Sequence, residues 1–191
     1  MAPFQIWLER ALSSVPPVAA FMRTEWGWPA AESVHFLGLT LLFGSIAAWD
    51  VRLIGLVKQV PVAAFHRLVP FAVAGFATNM ASGSFFLMTE PNQYLYNPAF
   101  HLKMLCVALA GINVIVFYLA FFRGVNTLGP GVQAPIGARV SGGVSLVLWI
   151  TVIVCGRMIT FYRPFVCGPG EALGFLIYCI PAAVRGSLDL P

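Results

Sequence analysis

Three histidines, His35, His66 and His101, are the only imidazoles in the 191 residues, and each stands at the margin of an apolar run. The first sits in "ESVHFLGLTLLFGSIAAWDVRL", which closes on Asp50 and Arg52. Imidazoles can ligate iron, zinc or copper, so the first question is which metal chemistry the remaining residues allow. Glu32 and His35 have the i, i+3 spacing of di-iron bundles, but a second copy of that pair and two further glutamates are missing. A catalytic zinc takes three protein ligands, and only His35, His101 and a nearby Glu could be assembled. A planar haem needs just two axial ligands, and His35 with His101 could supply them. The sequence contains no Walker loop, dinucleotide glycine motif or Cys-x-x-Cys pair.

The elements that must carry these residues are membrane helices. The chain is 59% hydrophobic and 9% charged, with 16 Phe, against about a quarter charged in an ordinary soluble domain. Its 11 Lys and Arg are dispersed at the ends of apolar runs, as membrane-boundary residues are, and form no stripe for nucleic acid. Four runs, near 29–49, 68–88, 104–122 and 140–159, meet the length of roughly 17 to 25 residues that a helical crossing requires. Backbone groups in lipid must be paired within their own segment, and the alternation of a β-barrel strand is absent, so the spacing predicts helices. Pro, Gly, Asn and charge concentrate in the short connections, which predicts an all-α, up-and-down four-helix transmembrane bundle over 29–162. Residues 1–28 lack the pattern of a signal peptide. Phe4, Trp7, Leu8 and Ala11 at helical spacing, with Trp26 and Trp28 at a belt position, predict an interfacial helix there. Within 163–191 the apolar stretch 172–184 is too short to span and is expected to lie in the interface or against the bundle.

Arg52, Lys58, Arg67, Arg123 and Arg139 follow the first and third runs, against the single acid Asp50, so the positive-inside tendency places both chain ends outside the cytoplasm. His35 and His101 then share the outer level. His66 lies about 30 Å away at the inner one and can share no single-metal site with them. A b-type haem between His35 and His101 would find Arg157 near its propionates and small residues such as Gly38 and Gly83 beside its ring. Each feature has a plainer alternative. Glycines also let bare helices pack closely, a histidine at a helix start can reach the headgroups, and Arg157 can pair with Glu32 or Glu90. His35 would then sit in a cofactor-free polar cluster with Glu32, Arg157 or a side chain of the second span.

Other polar residues have structural expectations. Asp50, Arg52 and Arg67 are placed to form an ion-pair cluster at the inner face. Asn79 and Asn113 fall near mid-span and are expected to point inward and hydrogen-bond another helix. Cys106 and Cys155 read as small apolar residues. Cys167 and Cys179 follow the last span on the side expected to be oxidising, where a disulfide or two free thiols are both open.

The clusters "WGWPAAESVHFLGLTLLFGSIAAWDVRLIGL", "LVPFAVAGFATNMASGSFFLMTEPNQYLYNPAFHLKMLCVALAGINVIVFY" and "SLVLWITVIVCGRMITFY" resemble a bacterial family of four-helix inner-membrane proteins of unknown function. The likeness runs from about Trp26 to Tyr162. It implies a pattern at His35, Asp50 to Leu53, Asn97 to Phe100, Lys103, Asn113, Gly156 and Arg157. A more distant similarity, in helix count and histidine placement, is to copper-resistance D type proteins and small b-type cytochromes. Two functional classes follow: a small haem b cytochrome exchanging electrons with the quinone pool, or a non-enzymatic module. The module would be an accessory subunit of a larger membrane complex, a homo-oligomer, or a handler of copper or another small solute.

Overall fold

A computed structural model describes residues 4–12, 16–171 and 176–181. Its helices are α1 (Phe4–Leu12), α2 (Pro16–Met22), α3 (Gly27–Ile54), α4 (Val62–His66), α5 (Val69–Thr89), α6 (Pro91–Leu95), α7 (Pro98–Ala120), α8 (Phe122–Val125) and α9 (Ile136–Phe161). Four helical stretches are long and apolar enough to cross a membrane: α3, α4 with α5, α7 and α9. The chain is an all-α, four-span membrane protein. Among the described residues the only β pairing is a single bridge between Val166 and Ile180.

The helices run further than the apolar stretches that announced them. α3 has 28 residues, about 42 Å at 1.5 Å each, so Asp50 and Arg52 lie inside it instead of beyond its end. Gly55 then stops the helix in the left-handed region, φ 101°, its N–H returning to the Val51 carbonyl, a conformation that glycine adopts without Cβ strain. α7 starts early because the Asn97 side chain accepts from Ala99 N–H at 3.0 Å and Pro98 occupies the first turn. His101 and Lys103 therefore sit on α7 proper.

α3 is the hub, packing against α5 on one side and α9 on the other, with α7 against α9. Small residues set the closest approach. A Cβ on Gly75 would stand 2.5 Å from the Leu42 nitrogen, and one on Gly38 would stand 2.8 Å from the Asn79 amide. α5 and α7 do not pack substantially on each other, which leaves an up-and-down bundle with one open seam.

Both ends are tied. On the face that carries α4 and α8, fully buried Arg52 donates from Nε to the Val60 carbonyl at 2.5 Å and from Nη2 to Gly129 and Val132 carbonyls at 3.3 Å each. It staples the α3–α4 and α8–α9 connections, with Gly131 N–H to the Lys58 carbonyl beside it at 2.8 Å. This differs from the expected ion-pair cluster. Arg52 is spent on carbonyls, Arg67 is exposed, and neither forms an ion pair with Asp50 among the described residues. The opposite face carries a cap. Gln5 of α1 donates to Leu95 and Ile177 carbonyls at 2.6 and 3.0 Å and accepts from Ile177 N–H at 2.8 Å. Tyr96 donates to Glu9 at 2.9 Å. The Asn92 amide nitrogen, oriented to satisfy both ends of that amide, donates to the same carboxylate at 2.7 Å. α1 thus turns Phe4 and Trp7 outward, where an interfacial helix meets lipid, and docks its polar face on the protein. A Cys167–Cys179 disulfide and the Val166–Ile180 bridge close the C-terminal segment on itself, and the Gln5 hydrogen bonds to Ile177 tie it to this cap. Of the stretch 172–184, only 176–181 lie within the described residues.

Candidate functional site

The open seam has an interior. α3 presents Leu42, Ser45, Ile46, Trp49, Asp50 and Leu53 at intervals of three, one, three, one and three, which is one face of a helix. α9 faces it with Ser141, Ser145 and Trp149 at intervals of four. Val73 and Phe76 of α5 and Gly111 and Val114 of α7 flank the gap between those two helices. Together they enclose a cavity of about 350 Å³, within the range of small-molecule sites. The span from Leu42 to Leu53 is 11 residue steps, about 16 Å along the helix. Aromatic rings close the seam at the α4 end. His66 lies 5.6 Å from Trp49 and 5.0 Å from Phe122 between ring centres, and its Nε2 is 3.4 Å from the Tyr118 hydroxyl.

The walls are apolar except along the inner side. Asn113 of α7 donates to the Ser141 carbonyl at 3.1 Å and accepts from the Ser141 hydroxyl at 3.0 Å, so those groups satisfy each other across α7 and α9. Asp50 is different. It is 4% exposed and Ser145 lies within hydrogen-bonding reach, but Oδ2 has no partner among the described residues. Among the described residues no Lys, Arg or His lines the cavity. A buried polar atom without a partner costs on the order of 1–3 kcal/mol, and Asp50 is one of the residues lining the cavity, so a donor held there would offset that cost.

The model of a family of unknown function (DUF6644) matches residues 26–162. The chain belongs to that family. No curated protein and no solved structure matches it, and no further similarity to copper-resistance or cytochrome families is shown. The DUF6644 region contains the four spans and the whole cavity, while α1 and the C-terminal segment of the cap lie outside it.

The DUF6644 residues expected to hold a haem go to separate surroundings. His35 packs between α3 and α5. Its Nδ1 is 2.9 Å from the Ser82 hydroxyl and its ring centre 5.7 Å from Phe86. Ser82 also donates to the Thr78 carbonyl of its own helix at 2.7 Å, so it joins His35 to α5 through Nδ1. His101 turns instead to Tyr178 of the C-terminal segment, 5.6 Å between ring centres. Lys103 reaches α9, its Nζ 3.7 Å from where a Gly156 Cβ would stand. Arg157 is exposed, its guanidinium 5.0 Å over the Phe161 ring, and pairs with neither Glu32 nor Glu90. The two imidazoles and Arg157 thus meet different partners, Ser82 and Phe86, Tyr178, and Phe161 respectively. Among the described residues no group of three or more His, Cys, Asp or Glu could hold a metal ion. Asn79 faces α3 but donates to the Gly75 carbonyl of its own helix at 2.9 Å. Sequence reasoning missed Asp50 as a cavity group. The signal was the single helical face running from Leu42 through Trp49 to Leu53.

Proposed function

We propose that this protein is a multi-pass component of the bacterial inner membrane whose bundle takes a lipophilic molecule from the bilayer into the cavity between α3, α5, α7 and α9. The observation that carries the reading is the cavity itself, flanked by α5 and α7, which do not pack substantially on each other. Binding of this kind suits an accessory or solute-handling module and needs no catalytic group. The cap face is assigned to the periplasm on two grounds. The connections at the opposite face carry Arg52, Lys58, Arg67, Arg123 and Arg139, and the Cys167–Cys179 disulfide suits an oxidising compartment.

Gly111 supplies the test. A Cβ there would meet nothing within 4 Å, so Gly111→Phe fills the mouth without displacing backbone. Native mass spectrometry of protein released from its own membrane should show a bound lipophile in wild type that is lost in Gly111→Phe. Identical mass profiles for the two proteins would overturn the reading. Haem b ligation by His35 and His101, with a link to the quinone pool, keeps one observation in its favour. His35 meets Ser82 through Nδ1 and leaves Nε2 for another partner, and His101 Nδ1 is buried without a hydrogen bond among the described residues. It requires His101 to leave Tyr178, and a pyridine haemochrome assay on purified wild type decides it.

A further inference from the structure

We propose that the occupant of this cavity is a planar aromatic lipophile bearing a ring hydroxyl, of the quinol or alkylphenol class, with the hydroxyl hydrogen-bonded to Asp50. The inference rests on the cavity reading above and adds the chemistry of what fills it.

The orphaned Asp50 Oδ2 fixes the polar end. Arg52, the nearest cation in sequence, is turned onto the Val60, Gly129 and Val132 carbonyls, so it does not neutralise or hydrogen-bond that oxygen. A hydroxyl suits the carboxyl in either protonation state. An ionised carboxylate accepts from it, and a neutral carboxyl exchanges hydrogen bonds with it, one oxygen donating and the other accepting. A lipophilic ammonium would also attract the carboxylate. However, the seam opens onto hydrocarbon, and carrying a full charge through it is far more costly than carrying a hydroxyl. The walls select the body of the ligand. Trp49, Trp149, Phe65, Phe76 and Phe117 surround the space, and aromatic faces of this kind favour a flat ring by offset or edge contact. The geometry then places the two ends. Asp50 lies four residues from the end of α3, about 6 Å along its axis, near the level where polar heads of bilayer lipids reside. The cavity runs from there toward Leu42 and mid-membrane, so an alkyl or isoprenoid tail leaves between α5 and α7.

The test uses matched probes in nanodiscs, read by the saturable shift in thermal unfolding. 4-Octylphenol should bind about tenfold or more tightly than 4-octylanisole, its methyl ether of the same shape, because the ether cannot donate. Asp50→Leu should bring the two within about twofold by weakening the phenol alone. Asp50→Asn, which keeps the side-chain shape, gives a second reading should the leucine variant fail to fold, and it should also shrink the preference. Decylubiquinol binding more tightly than 4-octylphenol would mark a bilayer quinol as the source, and the reverse order a simple phenol. Equal binding of phenol and ether in wild type, both lost in Gly111→Phe, would overturn the hydroxyl assignment while leaving the cavity reading intact. Tighter binding of 4-octylbenzylamine than of the phenol would overturn it in favour of a cation. Absence of saturable binding by every probe would overturn both.

Discussion

Asp50 and Arg52 are two residues apart and do opposite things. Arg52 makes three hydrogen bonds to loop carbonyls from a fully buried position, so truncation would leave several carbonyls unsatisfied at once. Arg52→Ala should destabilise the protein in detergent by about 3 kcal/mol or more, and Arg52→Lys should not rescue it, because an ammonium cannot reproduce the fork. Asp50 holds an unsatisfied oxygen. Replacing such a group with an apolar isostere is commonly neutral or stabilising, so Asp50→Leu should leave thermal stability within about 1 kcal/mol of wild type or raise it. A large loss in Asp50→Leu, measured in the same melts, would instead make Asp50 the structural anchor that the sequence first suggested.

The cap is an element with its own chemistry. Glu9 lies against Tyr96 and Asn92, and burial holds its carboxyl above the ordinary value of 4.5 despite those hydrogen bonds and the nearby Arg10 charge. A raised carboxyl pKa means that the folded cap binds the proton more tightly than the unfolded chain. The cap is therefore most stable below about pH 4.5 and loses stability as pH rises through the raised value. Glu9→Gln, which can still accept from Tyr96, should flatten that dependence, as read by hydrogen exchange at Leu95 and Ile177 across the pH series. Burial also pushes the neighbouring Tyr94 hydroxyl up to about 12, so it stays neutral throughout this range. Between α3 and α5 the controlling residue is Gly75. An added methyl would lie 2.7 Å from the Gly38 carbonyl, so Gly75→Ala should force the helices apart and lower the melting temperature, whereas Gly111→Ala should not.

Across the whole molecule, the spans were legible because mean hydropathy and length suffice to find them. Their relative placement was not. Every side of a membrane helix is apolar, since lipid is as apolar as a core, so the face that meets protein carries little periodic signal. Asn113 was readable because an amide at mid-span needs a partner, and Ser141 supplies one. Asp50 was misread because a carboxylate beside an arginine suggests a pair, while α3 carries the two residues onto different sides, separated by about 200° at 100° per residue. The contact of His101 with Tyr178 was not legible, because Tyr178 comes from a segment outside the spans. The open seam depends on which helix pairs have glycines at their crossing, which spacing alone does not reveal. It also provides the most direct test. Trp149 lies on α9, 8% exposed, and lines the cavity. A small hydrophobic photolabel, 3-trifluoromethyl-3-phenyldiazirine, delivered from the bilayer, should therefore mark the Trp149 peptide in wild type and lose that mark in Gly111→Phe, while lipid-facing Leu119 stays labelled in both. Equal labelling of Trp149 in the two proteins, or none in wild type, would contradict a cavity that fills from the membrane.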